Sequence, residues 1–244
     1  MNWQLCLRLS SLIAITSCFG ASSAIALNLT TPQPETATKS LVSLEFPPTN
    51  RSGAPRTSGG GTRSNSCISS EENKLTALMP NQNNVAKTAE DTPTFYWYVP
   101  ETEADIGQFV LIDEDGQEVY FNSFNLPETP SIVSLTLPDQ TNLKVGKEYL
   151  WYFSVVCDER DRSGDVWIQG RLDRTQLSNS IERRIRQLTP LEQAKVYAEY
   201  RIWHETLALI EQLRSDQPEQ WEELLSSVDL EFLIYENVQP INVE

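Results

Sequence analysis

The chain reads as an α+β protein, with a β-sandwich over residues 67–175 followed by a helical segment over 176–235. Three observations predict this. Short runs rich in β-branched and aromatic residues, separated by turn signals, fill the first stretch. The apolar period then lengthens from two to between three and four. Two cysteines, Cys67 and Cys157, bracket most of the β-rich stretch.

The strands are read in order at Phe95–Val99, Phe109–Ile112, Glu118–Phe121, Ile132–Leu137, Tyr149–Cys157 and Val166–Leu172. Asp115-Gly116 joins the second and third as a hairpin, because glycine accepts the positive φ such a turn demands. Leu143-Lys-Val-Gly-Lys-Glu-Tyr149 resembles the L-x-P-G-x-x-Y segment of fibronectin type III domains, with Val145 in place of proline. The resemblance implies an immunoglobulin- or fibronectin-III-like sandwich in which Tyr149 bonds back across the turn. Alternation puts Tyr149, Trp151, Phe153, Val155 and Cys157 on one side of their strand and Leu150, Tyr152, Ser154 and Val156 on the other. With Cys157 bonded inside, the first set is core. The second set, beside Tyr96 and Tyr98, is expected to form an aromatic outer face.

Leu177, Ile181, Ile185 and Leu188 open the helical part at four- and three-residue spacing. Thr189-Pro-Leu-Glu192 is a capping box with proline at the first helical position, starting a helix that reaches Tyr200. A further helix runs from Trp203 to Leu213, and Asp216-Gln-Pro-Glu219 starts another carrying Trp221, Leu224, Leu225 and Val228. Ala194, Tyr197, Ile210, Leu213 and Pro218 resemble a single tetratricopeptide (TPR-like) repeat, departing from it at Arg201 and Thr206. One repeat cannot bury its own apolar face, so this hairpin must lean on the sandwich. Residues 236–244 read as a tail.

Residues 1–26 read as a signal peptide. Arg8 is the only charge, Leu9–Ile15 is apolar, and Ala24-Ile25-Ala26 fits a cleavage site before Leu27. Ile15-Thr16-Ser17-Cys18 also resembles a lipobox, which would make Cys18 a lipid tether. Either reading exports the protein to a periplasmic or secreted location. No stretch reaches the ~20 apolar residues of a transmembrane helix. Residues 27–66 read as a disordered Thr/Ser/Pro/Gly-rich tether whose basic part, 51–63, is a linker or a docking segment.

Outside the leader, only Cys67 and Cys157 remain. In an oxidising compartment they read as one disulfide, the alternative being a reactive thiol. The formal net charge is −15, and the acidic excess lies beyond residue 66. Such a body is a poor nucleic-acid ligand, because phosphate binding needs clustered Lys and Arg.

The single histidine, His204, makes a Ser-His-Asp triad or a histidine-built metal site improbable, and no metalloprotease, Walker or dinucleotide motif occurs. No catalytic residue and no cofactor is indicated, and a metal is left open. Asp113–Glu118 has the oxygen-rich look of a calcium loop but sits where a hairpin turn belongs. Asp158-Glu-Arg-Asp-Arg-Ser-Gly-Asp165 is either a salt-bridged loop or a ligand or metal rim, with Asp158, Asp161 and Asp165 as its candidate ligands.

Several motifs together resemble the secreted cyanobacterial proteins of domain of unknown function 928. They are Gly53-Ala-Pro-Arg with Gly59-Gly-Gly-Thr-Arg63, Leu75–Pro80, Pro93–Pro100, Trp151–Asp158 and Asp161–Asp165. The resemblance implies a bacterial cell-envelope setting and brings no activity. The expected function is a non-catalytic, extracytoplasmic, protein- or glycan-binding module, with Tyr96, Tyr98 and Tyr152 as candidate stacking residues. The alternative is a carboxylate-based, glycosidase-like hydrolase of envelope polysaccharide.

Overall fold

The computed structural model describes residues 44–48, 67–68, 74–81 and 83–241. The leader, Cys18 and the 51–63 segment lie outside them. The strands are β1 (Thr76–Ala77), β2 (Val85–Thr88), β3 (Thr94–Val99), β4 (Ile106–Ile112), β5 (Glu118–Asn125), β6 (Ser131–Thr136), β7 (Glu148–Val156), β8 (Val166–Arg174) and β9 (Val238–Pro240). Four helices precede β9: α1 (Asn179–Ile185), α2 (Pro190–Glu199), α3 (Trp203–Leu213) and α4 (Pro218–Ser226). Every strand and helix expected from the sequence is present within a few residues of its predicted bounds, in an α+β arrangement.

One sheet has the order β2-β8-β7-β4-β5 and the other β1-β3-β6-β9. Both are mixed, because β2 joins β8 and β9 joins β6 in parallel. The sheets meet face to face through aromatic side chains. Trp97 of β3 stacks on Phe153 of β7 with ring centres 4.4 Å apart, and Phe95 meets Phe109 of β4 at 5.0 Å. Tyr149, Trp151, Phe153 and Val155 are all buried in this layer, as alternation requires. The Tyr149 hydroxyl accepts the Lys144 amide at 2.9 Å, which closes the turn before β7 as the fibronectin-like segment predicts. Cys67 and Cys157 are disulfide-bonded and tie the 67–68 segment to the end of β7.

The helices cover the β1-β3-β6-β9 sheet and the β2 edge. Trp203 donates its indole N–H to the Leu78 carbonyl at 2.9 Å, and His204 Nδ1–H donates to the Thr94 carbonyl at 2.9 Å. The Thr189–Glu192 capping box forms as read. Between α2 and α3 the chain reverses at Arg201, whose φ of 58° is left-handed. The Ile202 amide reaches back to the Tyr197 carbonyl and the Arg201 amide to Ala198, so these two carbonyls at the end of α2 are satisfied.

Two segments depart from the sequence reading. Residues 44–48 fall within the expected tether, yet Leu44 and Phe46 are 1% and 3% exposed. Phe46 packs edge-on against Trp203 at 4.8 Å, and the Leu44 amide donates to Glu223. The apolar side chains of Leu44 and Phe46 bury enough surface to order the segment, which the surrounding Thr, Ser and Pro residues obscure. The 236–244 tail is likewise corrected, since it contributes β9. Its proline sits on an edge strand, where no ladder donor is missed.

Gly170 of β8 shows how tightly the larger sheet is closed. A Cβ there would run into the Asn84 carbonyl and the Trp151 indole. Gly170→Ala is expected to cost about 1–3 kcal/mol by forcing β2 and Trp151 apart. Urea denaturation checks it, and an unchanged midpoint would contradict that packing.

Candidate ligand face

A strand buries alternate residues, so each sheet has an outward side, and helices cover just one of the two. On β3, Phe95, Trp97 and Val99 face the other sheet, which turns Tyr96 and Tyr98 outward under the helices. They are 4% and 3% exposed. Burial, then the nearby Glu211 carboxylate, pushes the Tyr96 hydroxyl well above the usual phenol range; burial and then Glu236 do the same for Tyr98.

Tyr152 lies on the opposite side of the molecule's β layer. The expected union of Tyr152 with Tyr96 and Tyr98 is therefore corrected: β3 pairs with β1 and β6, never with β7. Sequence alternation assigns a side chain to a face but cannot say which sheet the strand joins. Tyr96 and Tyr98 are shielded packing residues.

The register aligns the outward residues of the five-stranded sheet in rows. Phe121, Val110, Tyr152 and Gln169 form one row, and Ser123, Gln108, Ser154 and Trp167 the next. Ile112, Leu150 and Arg171 follow on the other side. Tyr152 and Trp167 are neighbours with ring centres 6.1 Å apart and planes tilted by 57°. Phe121 is 47% exposed, and the remaining members of the patch are partly exposed. Phe121 and Trp167 escaped the sequence reading; outward alternation on the Glu118 and Val166 runs was the signal that could have found them.

Charged pairs border this uncharged centre. Lys147 meets Glu114 at 2.8 Å and Arg171 meets Glu148 at 3.2 Å at one end. Lys147 and its backbone neighbour Glu148 hold the Glu114 carboxyl below its ordinary value. At the other end Arg162 pairs with Asp165 and donates from Nη2 to Gln108 Oε1 at 2.8 Å. The Asp158–Asp165 loop thus abuts the face through Arg162.

Its three aspartates are engaged by the loop itself. Asp158 accepts the Arg160 amide, Asp161 the Ser163 amide and Asp165 the Cys157 amide. The Ser163 hydroxyl and amide hold the Asp161 carboxyl below its usual value. Among the described residues no group of three His, Cys, Asp or Glu is placed to hold a metal. Asp113 closes the hairpin turn by accepting the Asp115 and Gln117 amides, and Glu114 is engaged by Lys147 and the Glu148 amide.

A second polar cluster lies inside the molecule. Glu205 of α3 is buried, and its Oε1 accepts the Thr88 hydroxyl and the amides of Ala89 and Glu90, both at 3.1 Å. Burial raises its carboxyl to about 7, outweighing those hydrogen bonds. Burial lowers the adjacent His204 to about 4, so the imidazole is neutral. This cluster clamps α3 to the end of β2. His204, whose ring packs on Phe95 at 4.7 Å, is structural.

The family described as Domain of Unknown Function (DUF928) matches residues 58–238. No curated protein matches the chain. Among solved structures, the fn3 domain of human collagen alpha-1(XX) chain aligns at 12% identity over 38% of this chain and 76% of that one, with a TM-score of 0.28.

Proposed function

The chain belongs to the family described as Domain of Unknown Function (DUF928), and we propose that it is a non-catalytic, extracytoplasmic protein of the bacterial cell envelope that docks a protein partner. The observation that carries this reading is the outer side of the five-stranded sheet, which none of the described helices covers. It has an aromatic and aliphatic centre of Phe121, Val110, Tyr152 and Trp167, bordered at both ends by ion pairs. Interfaces are built this way, with charge depleted at the centre and polar groups at the rim. A contiguous apolar patch seldom stays bare on a monomer. The disulfide and the leader's cleavage pattern support export, the finer point being the choice between a free mature protein and one tethered at Cys18.

The test is capture of a partner from the organism's own envelope fraction, comparing the wild type with Tyr152→Ala and Trp167→Ala. Each substitution is expected to weaken capture roughly 30-fold, corresponding to a central aromatic worth about 2 kcal/mol. The thermal midpoint should move by only a few degrees, since both rings are partly exposed. Undiminished capture by both variants would remove the face from the interaction. The rival hydrolase would use Glu90 and Glu182, which share the wall of a hollow of about 260 Å³ with Tyr197 and Arg186. Release of reducing sugar that Glu90→Gln and Glu182→Gln abolish would favour it.

A further inference from the structure

The two sheets end in four edges, and three of them are blunt among the described residues. β1 has two residues, β9 has three with Pro240 among them, and β2 has four under α3. The fourth edge, β5, is eight residues long, and its residues Val119–Asn125 contain no charge and no proline. Such an edge presents a row of backbone N–H and C=O groups ready to pair with another strand, and natural sheets normally guard it with charge, proline or cover.

A hollow of about 610 Å³ runs along this edge. Asn122 to Asn125 of β5, with Ile106 of β4, line it. Pro127, Pro240 and Ile241 form the opposite wall. Asn122, which lines the hollow, has a buried side-chain amide nitrogen without a hydrogen bond of good geometry. Where β5 ends, the Leu126 amide bonds the Asp105 carbonyl and the Thr102 amide the Thr129 hydroxyl, so the backbone segments carrying the exposed Glu103, Asp105 and Glu128 run side by side next to that end of the strand.

We infer that β5 accepts an extended peptide segment of the partner as a sixth strand, with a Lys or Arg of that segment set against Glu103, Asp105 and Glu128. This rests on the reading that the partner is a protein. Main-chain pairing supplies the affinity in such additions, and alternate side-chain pockets supply the selectivity. Inward side chains of the added strand enter the hollow between Phe124 and Ile241, and outward ones extend the row that begins at Phe121. The acidic end selects a basic peptide, and the strongly acidic chain opposes pairing with a second copy of itself.

The probe is a synthetic peptide of alternating Val and Thr ending in two lysines, followed by hydrogen exchange of the full chain. It should slow alternate amides within Glu118–Asn125 at least 10-fold. A version with N-methylated alternate residues should give no protection, and one ending in two glutamates should bind at least 10-fold more weakly. Ser123→Lys, at an exposed position of β5, should abolish protection without moving the thermal midpoint, while Tyr152→Ala should leave peptide binding unchanged. Equal binding of the methylated peptide, or protection that grows with protein concentration in the absence of peptide, would overturn the inference. If β5 stays unprotected while Tyr152→Ala still loses the envelope partner, strand addition fails and the face reading survives. If Tyr152→Ala keeps the partner, the face reading itself fails.

Discussion

Glu205→Ala is expected to lower the unfolding free energy by about 1–3 kcal/mol, the cost typical of leaving a buried neutral donor without its acceptor. Oε1 is the acceptor for the Thr88 hydroxyl and for the amides of Ala89 and Glu90. A buried donor left without an acceptor costs about 1–3 kcal/mol, a cost that falls mainly on the Ala89 amide because the Glu90 amide also donates to the Thr88 hydroxyl at 3.0 Å. Thr88 retains a second acceptor, the Glu90 carbonyl, and so contributes less. Urea denaturation at pH 6 checks the value. A loss under about 1 kcal/mol would mean that α3 is held to β2 by apolar contact alone.

The same cluster has a proton signature. With the Glu205 carboxyl raised from 4.5 to about 7, the native state keeps a proton that the unfolded chain has released between those values. Stability therefore falls through that window by about 1.4 kcal/mol per pH unit. With His204 lowered from 6.5 to about 4, the unfolded chain takes up a proton that the native state refuses. Stability then rises from about pH 4 to 6.5 at the same rate. These opposite slopes cancel over most of their overlap in the wild type. Glu205→Gln keeps an acceptor without the titration and should uncover the rising slope, while His204→Asn should uncover the falling one.

Removing the crosslink with Cys67→Ser and Cys157→Ser together should cost about 4–5 kcal/mol. The two cysteines are 90 residues apart, and in the chain-entropy model a closed loop of that size restricts the unfolded state by this amount. Denaturation curves of the oxidised wild type and the double variant measure the difference. A cost below about 1 kcal/mol would show that the 67–68 segment adds nothing the core does not already fix.

Local chemistry made much of this fold readable. Asp115-Gly116, the Thr189 capping box and the Tyr149 alternation each depend on a few neighbouring residues, and each formed as expected. What was not readable depends on distant partners. Nothing in Phe95–Val99 says that its strand joins β6 rather than β7, so Tyr96 and Tyr98 were assigned to the wrong outer face. Val85–Thr88 is too short, with a lysine inside it, to announce a strand. Val238–Pro240 reads as a tail until β6 pairs with it. Leu44 and Phe46 become core only because Trp203 and α4 wait for them. For the candidate face, Tyr152 was legible from its own strand, whereas Phe121 and Trp167 needed the cross-strand register.

Hydroxyl-radical footprinting, with the protein alone and then with its envelope fraction, tests the central assignment most directly. Alone, Phe121, Tyr152 and Trp167 should be oxidised while Tyr96 and Tyr98 stay protected; adding the envelope fraction should then shield Phe121, Tyr152 and Trp167. Oxidation of Tyr96 and Tyr98 in the free protein, or an unchanged pattern at Tyr152 and Trp167 in the presence of a captured partner, would contradict it.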